Sequence, residues 1–179
     1  MTANSYAGLW VRIRAFSLDY IIIALYLSIL VGVSIGLNFV FPKVVSTLFG
    51  HPLQAQFIGF ITVTLPVTLY FTFTESSSWQ ASWGKRRQGL RLVRTDGAGI
   101  TFGRALVRTL LKFVPWELAH TCIWQISVTP SEPSPLITAG FIIVWVSVGA
   151  NIVWLWVSPS HQTIYDWLAD TYIIGGKQT

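Results

Sequence analysis

The sequence predicts an all-α membrane protein, a bundle of about four transmembrane helices with a basic cytoplasmic loop. Three observations carry that expectation. Residues of the hydrophobic class make up 53% of the 179-residue chain and charged residues only 11%, against about 25% charged in ordinary globular chains. Segments at 15–41, 54–73, 102–127 and 135–157 approach or exceed the roughly 20 mostly apolar residues a helix needs to cross a bilayer. The positive charge is concentrated beside those segments, with eight of twelve basic residues between Lys85 and Lys112. The length suits one domain, residues 1–179.

The first segment follows Arg12 and Arg14 and stops at Pro42, which cannot continue a helical ladder. It is too long for the apolar core of a cleaved signal peptide and lacks a small-x-small site, so it reads as a retained span. The second carries Thr64, Thr68 and Thr72 at helical spacing, with Pro66 among them. Proline frees a backbone carbonyl there, which a nearby Thr can satisfy. The third begins amphipathic, with Arg104, Arg108 and Lys112 on one face, and turns apolar past Pro115. It either spans with a kink at Pro115 or lies partly along the interface. The fourth places Ser147 and Asn151 on one face. Such hydroxyls and amides either glue helices together or line a substrate path.

Charge asymmetry sets the orientation. Arg12 and Arg14 precede the first segment, and Lys85, Arg86, Arg87, Arg91, Arg94, Arg104 and Arg108 lie between the second and third. Residues 42–53 hold only Lys43 and His51, and residues 128–134 hold Glu132 and no basic residue. The positive-inside rule places the N-terminus and the central loop in the cytoplasm of a cell (inner or plasma) membrane. The C-terminus is cytoplasmic if the third segment spans and external if it does not. Leu90 to Arg94 alternates like a short strand, Asp96-Gly97 is a turn signal, and Thr171 to Ile174 also suits a strand. The two strands can pair only if both lie on one side.

A net charge of +5 set against apolar segments points to membrane orientation rather than nucleic acid. The expected partners are the bilayer, anionic lipid headgroups at the basic loop, and a second copy or another membrane protein. The single cysteine, Cys122, excludes an internal disulfide and a cysteine-based zinc site. No P-loop, Gly-x-Ser-x-Gly, paired metal-binding histidines or dinucleotide fingerprint is present. No catalytic residue, cofactor or metal is therefore expected.

Asp19 is the sharpest feature. A carboxylate inside a span is costly and usually faces the bundle interior with a partner. It fits a structural ion pair near the cytoplasmic boundary, with Arg12 two turns away, a coupling group for protons or cations, or a side chain that snorkels to the interface. Glu117 and His120 share a helical face three residues apart. They suit a structural hydrogen-bonded pair or a proton or ion path. Asp166 and Asp170 form the acidic face of a short tail helix. They can pair with Arg86 or Arg91 if the tail is cytoplasmic, or stay solvated.

Three stretches together resemble the bacterial RDD family of membrane proteins: Ala7 to Arg12 continuing to Asp19, Trp83 to Val93 with Asp96-Gly97 and Phe102 to Arg108, and Gln162 to Thr171. The resemblance covers most of the chain. On it, the Arg and two Asp from which the family is named fall on Arg12, Asp19 and Asp166. Three positions depart from the usual pattern. Trp83 stands where Pro often precedes Gly-Lys, Tyr165 where His is common, and Asp170 where Gly is common. The resemblance implies transport, including cation/proton antiport proposed for some members, with Asp19 and Asp166 as the first coupling candidates. It also implies that Arg12 could clamp the N-terminus to the tail.

Two functions follow. One is a transporter or transporter subunit for cations or small solutes. The other is a non-transporting scaffold or accessory protein that docks a partner or anionic lipid through the basic loop.

Overall fold

A computed structural model describes residues 5–128 and 134–175. The connection bearing Glu132 lies outside the described residues. The chain is mostly helical and runs β1 (Ser5–Tyr6), α1 (Leu9–Val40), α2 (Pro42–Leu48), α3 (Pro52–Gly59), a π-helical turn (Phe60–Thr64), α4 (Leu65–Ser76), α5 (Trp83–Arg87), β2 (Leu90–Arg94), α6 (Phe102–Val128), α7 (Pro135–Val157), α8 (Ile164–Leu168) and β3 (Thr171–Gly175).

Three helices are long and apolar enough to cross a membrane: Leu9–Val40, Pro52–Ser76 and Pro135–Val157, with mean hydropathy of 2.4, 1.6 and 2.1 in their most apolar stretches. The count by length and composition is thus three rather than four. The amphipathic α6 spans 27 residues but carries Arg104, Arg108, Lys112 and Glu117. Helix α1 has 32 residues, about 48 Å at 1.5 Å per residue, well beyond an apolar core about 30 Å thick. It therefore begins six residues before the apolar boundary read from the sequence, and its first turns carry Arg12 and Arg14. Large apolar side chains along α1 and α7, among them Leu25, Ile35, Phe39, Trp145 and Trp156, point outward. In water such a surface would be a severe aggregation liability; lipid is the solvent that suits it.

Pro66 explains the π-helical turn. It offers no N–H to the Thr62 carbonyl four residues back, and the ladder widens until the Leu65 N–H bonds the Phe60 carbonyl. The freed Thr62 carbonyl accepts a hydrogen bond from the Tyr26 hydroxyl of α1. The satisfying group thus comes from a neighbouring helix, not from a threonine nearby in the segment. Thr64, Thr68 and Thr72 all lie buried, and the α4 bearing the last two packs chiefly against α6.

The β-pairing that the sequence allows between residues 90–94 and 171–174 is present, with a third strand added. The sheet order is β1-β3-β2, antiparallel throughout, with Leu92 opposite Ile173 and Tyr6 opposite Ile174. Leu90, Leu92, Ile100, Ala105 and Ile173 form a buried core with Ala7 and Ala15 of the N-terminal region. Both chain ends and the central loop thereby meet as one cap at the same end of the helices. Helix α6 leaves this cap and α7 returns to it, the two packing so closely that a Cβ at Gly140 would lie 2.5 Å from the Cys122 sulfur.

The cap core generates a stability prediction. Leu92 is 0% exposed, so Leu92→Ala should cost roughly 2–5 kcal/mol and lower the thermal midpoint of the detergent-purified protein. Leu25→Ala, on the outward face of α1, should change that midpoint little. Equal losses from the two would show that the cap core does not control unfolding.

Candidate functional site

The cap is organised around a chain of buried ion pairs. Asp166 of α8 sits between two guanidiniums. Arg12 Nη1 of α1 lies 2.6 Å from its Oδ2, while Arg108 of α6 approaches its Oδ1 through Nη2 at 2.7 Å and Nε at 2.8 Å. Arg108 Nη1 continues to Glu75 Oε2 of α4 at 2.8 Å, and Glu75 Oε1 pairs with the Lys85 ammonium of α5. Five elements are thus tied by five charges. Asp166 and Glu75 are fully buried and Arg108 and Lys85 nearly so.

Local structure aims each member. Thr163 caps α8 by accepting from the Asp166 N–H, and Asp166 Oδ2 accepts in return from the Thr163 N–H at 3.2 Å. This reciprocal capping box locks the carboxylate toward the arginines. Arg12 also donates to the carbonyls of Ala7 at 2.9 Å and His161 at 2.5 Å, which joins both chain ends to its fork. Burial alone would raise the Asp166 carboxyl, but the positive charges of Arg108 and Arg12 outweigh it and hold it well below the usual carboxylate range. Burial pushes the Lys85 ammonium below its ordinary value, an effect that Glu75 only partly offsets.

Asp19 occupies a second, adjoining cluster. Its Oδ1 accepts from the Tyr70 hydroxyl at 2.8 Å and the Gly84 N–H at 2.7 Å, and its Oδ2 from the Ser82 hydroxyl at 2.5 Å. It makes no ion pair with Arg12 among the described residues. Glycine is required at position 84 by close approach: a Cβ there would lie 2.0 Å from the Ala15 carbonyl oxygen and 2.9 Å from Asp19 Cγ. The same Ser82 hydroxyl accepts from the Lys85 N–H at the start of α5, so one hydroxyl caps α5 and docks it on α1.

Glu117 and His120 form a third polar group deeper along α6. Glu117 accepts from the Thr64 hydroxyl and from Gln56 Nε2 at 2.7 Å, and His120 Nδ1 stands 3.5 Å away. Among the described residues no hydrogen bond or ion pair joins this group to Asp19, so the three residues that suggest a proton or ion path divide between two clusters. Among the described residues no three His, Cys, Asp or Glu side chains converge as a metal site.

The basic loop divides by role. Lys85, Arg104 and Arg108 are used within the cap, Arg104 through Asp170 at 2.8 Å. Arg94 pairs with Asp96 at 2.7 Å. Arg86, Arg87 and Arg91 face outward, with Arg86 4.3 Å over the Trp79 ring and Arg87 5.3 Å over the Trp83 ring. The acidic tail therefore meets Arg12, Arg108 and Arg104, rather than Arg86 or Arg91. Sequence reasoning passed over Glu75 and Ser82. A signal for Glu75 did exist, because it is the one acidic residue between Asp19 and Asp96.

Each departure from the familiar motif has a physical account. Trp83 opens α5, the first helical position at which proline is favoured, and there it stacks with Arg87. Tyr165 carries its ring 5.1 Å below Arg108, an aromatic support for the guanidinium. Asp170 has φ of 54°, the left-handed region that favours glycine and that Asp tolerates. Its side chain accepts from Thr95 and Arg104, and the Thr95 bond first, then Arg104, holds its carboxyl below the ordinary value.

A model of the RDD family matches residues 6–170, nearly the whole chain. No curated protein and no solved structure matches it.

Two predictions come from this geometry. Asp166→Asn leaves Arg12 without a carboxylate and Arg108 with Glu75 alone, and should cost roughly 3–5 kcal/mol. Asp170→Asn, at an exposed pair, should leave the thermal midpoint unchanged within error. Because the Asp166 carboxyl is held low, its contribution is complete above the unfolded value of about 3.9 and fades as pH falls below it. The wild-type advantage over Asp166→Asn should therefore persist from neutral pH to about 5 and shrink in stronger acid; a gap that vanishes near neutrality would contradict this. Gly84→Ala should destabilise by about 3 kcal/mol or more, and an unchanged melting curve would refute the close approach of α5 to α1.

Proposed function

The chain belongs to the RDD family, and from that premise we propose that it is a multi-pass protein of the bacterial inner membrane whose cap docks anionic lipid headgroups on the cytoplasmic side. The carrying observation is the division of charge in the cap. Asp166 and Glu75 are consumed by buried cations, whereas Arg86, Arg87 and Arg91 face outward with Trp79 and Trp83 beside them. Tryptophan favours the membrane interface, and a basic residue near an anionic surface contributes about 1 kcal/mol.

The positive-inside rule then places the cap, both chain ends and the basic loop in the cytoplasm. Helix α6 starts in that cap and α7 ends in it. Since α7 is apolar enough to span, α6 must carry the chain across to the far side, its cationic first turns anchored in the cap. Four helices then cross. A second copy or another membrane protein can sit against the outward faces of α1 and α7.

Transport of a cation or small solute is the second reading. It is favoured by Glu117, Gln56, Thr64 and His120 gathered beside a π-helical turn, an irregularity frequent at functional sites. Against it, Asp19 is spent on three neutral donors, and the cap interior carries a surplus of cations.

Lipid analysis of the protein extracted in polymer-bounded discs tests docking. Anionic lipid should be enriched around the wild type, and the enrichment should fall in the triple variant Arg86→Gln/Arg87→Gln/Arg91→Gln. Proteoliposomes test the alternative: proton flux driven by a sodium or potassium gradient, dependent on the protein and lost in Glu117→Gln, would replace docking with transport.

A further inference from the structure

Lys112 is the charged group that the cap leaves over. It lies one turn beyond Arg108 on α6 and has no hydrogen bond or ion pair with a described residue. Its ammonium stands 3.7 Å over the Phe71 ring, with Phe16 and Phe113 at 5.2 and 5.3 Å. In this region the described side chains Arg12, Lys85, Arg108 and Lys112 stand against three carboxylates, Asp19, Glu75 and Asp166, and Lys112 is the cationic side chain left without an ion pair. Aromatic faces soften the burial of an ammonium, but a cation at membrane depth calls for an anion.

Lys112 lines a cavity of about 510 Å³ between α1, α6 and α7, within the roughly 300–1,000 Å³ of ligand pockets. Its walls are apolar and come from Phe16, Trp116, Ala119, Val144 and Val148. Phe16, Trp116 and Val148 are also exposed on the outer surface, so the cavity opens sideways toward lipid. Along α6 its lining continues from Lys112 to Ala119, seven residues or about 10 Å. That is about two thirds of one leaflet of a hydrocarbon core about 30 Å thick. The cavity thus takes the upper part of one acyl chain, with apolar walls below and cationic side chains at its cap end.

We propose that this cavity binds a single anionic phospholipid of the cytoplasmic leaflet, its phosphate paired with Lys112 and one acyl chain lying between α1, α6 and α7. This rests on the cytoplasmic placement of the cap, and it gives the docking function a discrete site distinct from the exposed Arg86, Arg87 and Arg91. The lipid enters laterally past Phe16 and Val148. The headgroup meets Lys112 below the Asp166 network, in which three cations share two carboxylates and leave neither carboxylate free for Lys112.

Native mass spectrometry of the full-length protein in detergent, titrated with phosphatidylglycerol or phosphatidylcholine of the same chains, tests the site. The wild type should retain one phosphatidylglycerol per chain in preference to phosphatidylcholine. Lys112→Gln should weaken that retention about tenfold, as loss of a charge-assisted contact implies, and Lys112→Arg should restore it. Ala119→Trp, which fills the apolar end, should weaken both lipids. The triple variant at Arg86, Arg87 and Arg91 should keep the single tight lipid. Retention unchanged in both Lys112→Gln and Ala119→Trp overturns the site. If retention is instead lost in the triple variant alone, docking at the exposed belt stands and the cavity site falls. No preference for phosphatidylglycerol in the wild type refutes both. A second protein copy bound in place of lipid would also refute the site.

Discussion

The cap depends on one carboxylate. Asp166 receives Arg12 from the first helix and Arg108 from α6, and through Arg108 it is connected to Glu75 and Lys85. Buried charges of this kind contribute less net stability than their Coulomb attraction suggests, because each has been taken out of water. What they impose is geometry. A buried guanidinium tolerates only arrangements in which its fork is filled, so the ends of α1, α4, α5, α6 and α8 have one mutual placement that satisfies all five charges. The neighbouring Asp19 cluster adds a contact constraint of a different kind, with α5 pressed onto α1 at Gly84 until backbone meets backbone.

Two solvents shape this chain, and its two parts follow different rules. The long helices turn apolar side chains outward and have few buried residues of their own. The cap has a small aqueous-style core under a three-stranded sheet, with Leu92 and Ile173 at its centre. Lys112 lies where the two regimes meet, below the Asp166 network and above the greasy wall of α6 and α7.

Much of this was legible from the residues alone. Period and length located the apolar segments to within a few residues, and α7 matches the expected 135–157. Alternation located β2 and β3, whose pairing was conditional on a shared side, a condition that the structure meets. The RDD resemblance was legible from motif spacing, and it pointed to Arg12, Asp19 and Asp166. The partners of those charges were harder to read. Local spacing favoured Arg12 with Asp19, but a helix face brings side chains near one another without stating which long-range acceptor wins. Asp166, reached across 154 residues, offered Arg12 a carboxylate on a rigid capping box. Glu75 was hidden at the edge of an apolar run, where a carboxylate normally marks the end of a span and here marks the middle of the network. Helix α1 starts ahead of the apolar segment at 15–41 because hydropathy senses where lipid begins, whereas the helix begins where its first turn can be held by the cap. The short β1 carries too few residues to leave a pattern.

The pairing of Arg12 with Asp166 also has a temporal side. The ribosome emits the arginine 154 residues before the aspartate, so while that stretch is being made the basic groups of the cap lack one of their two buried counterions. Only when the last short helix emerges are both guanidiniums filled. A product cut short before that point would retain its greasy helices yet leave Arg12 without a carboxylate and Arg108 with Glu75 alone.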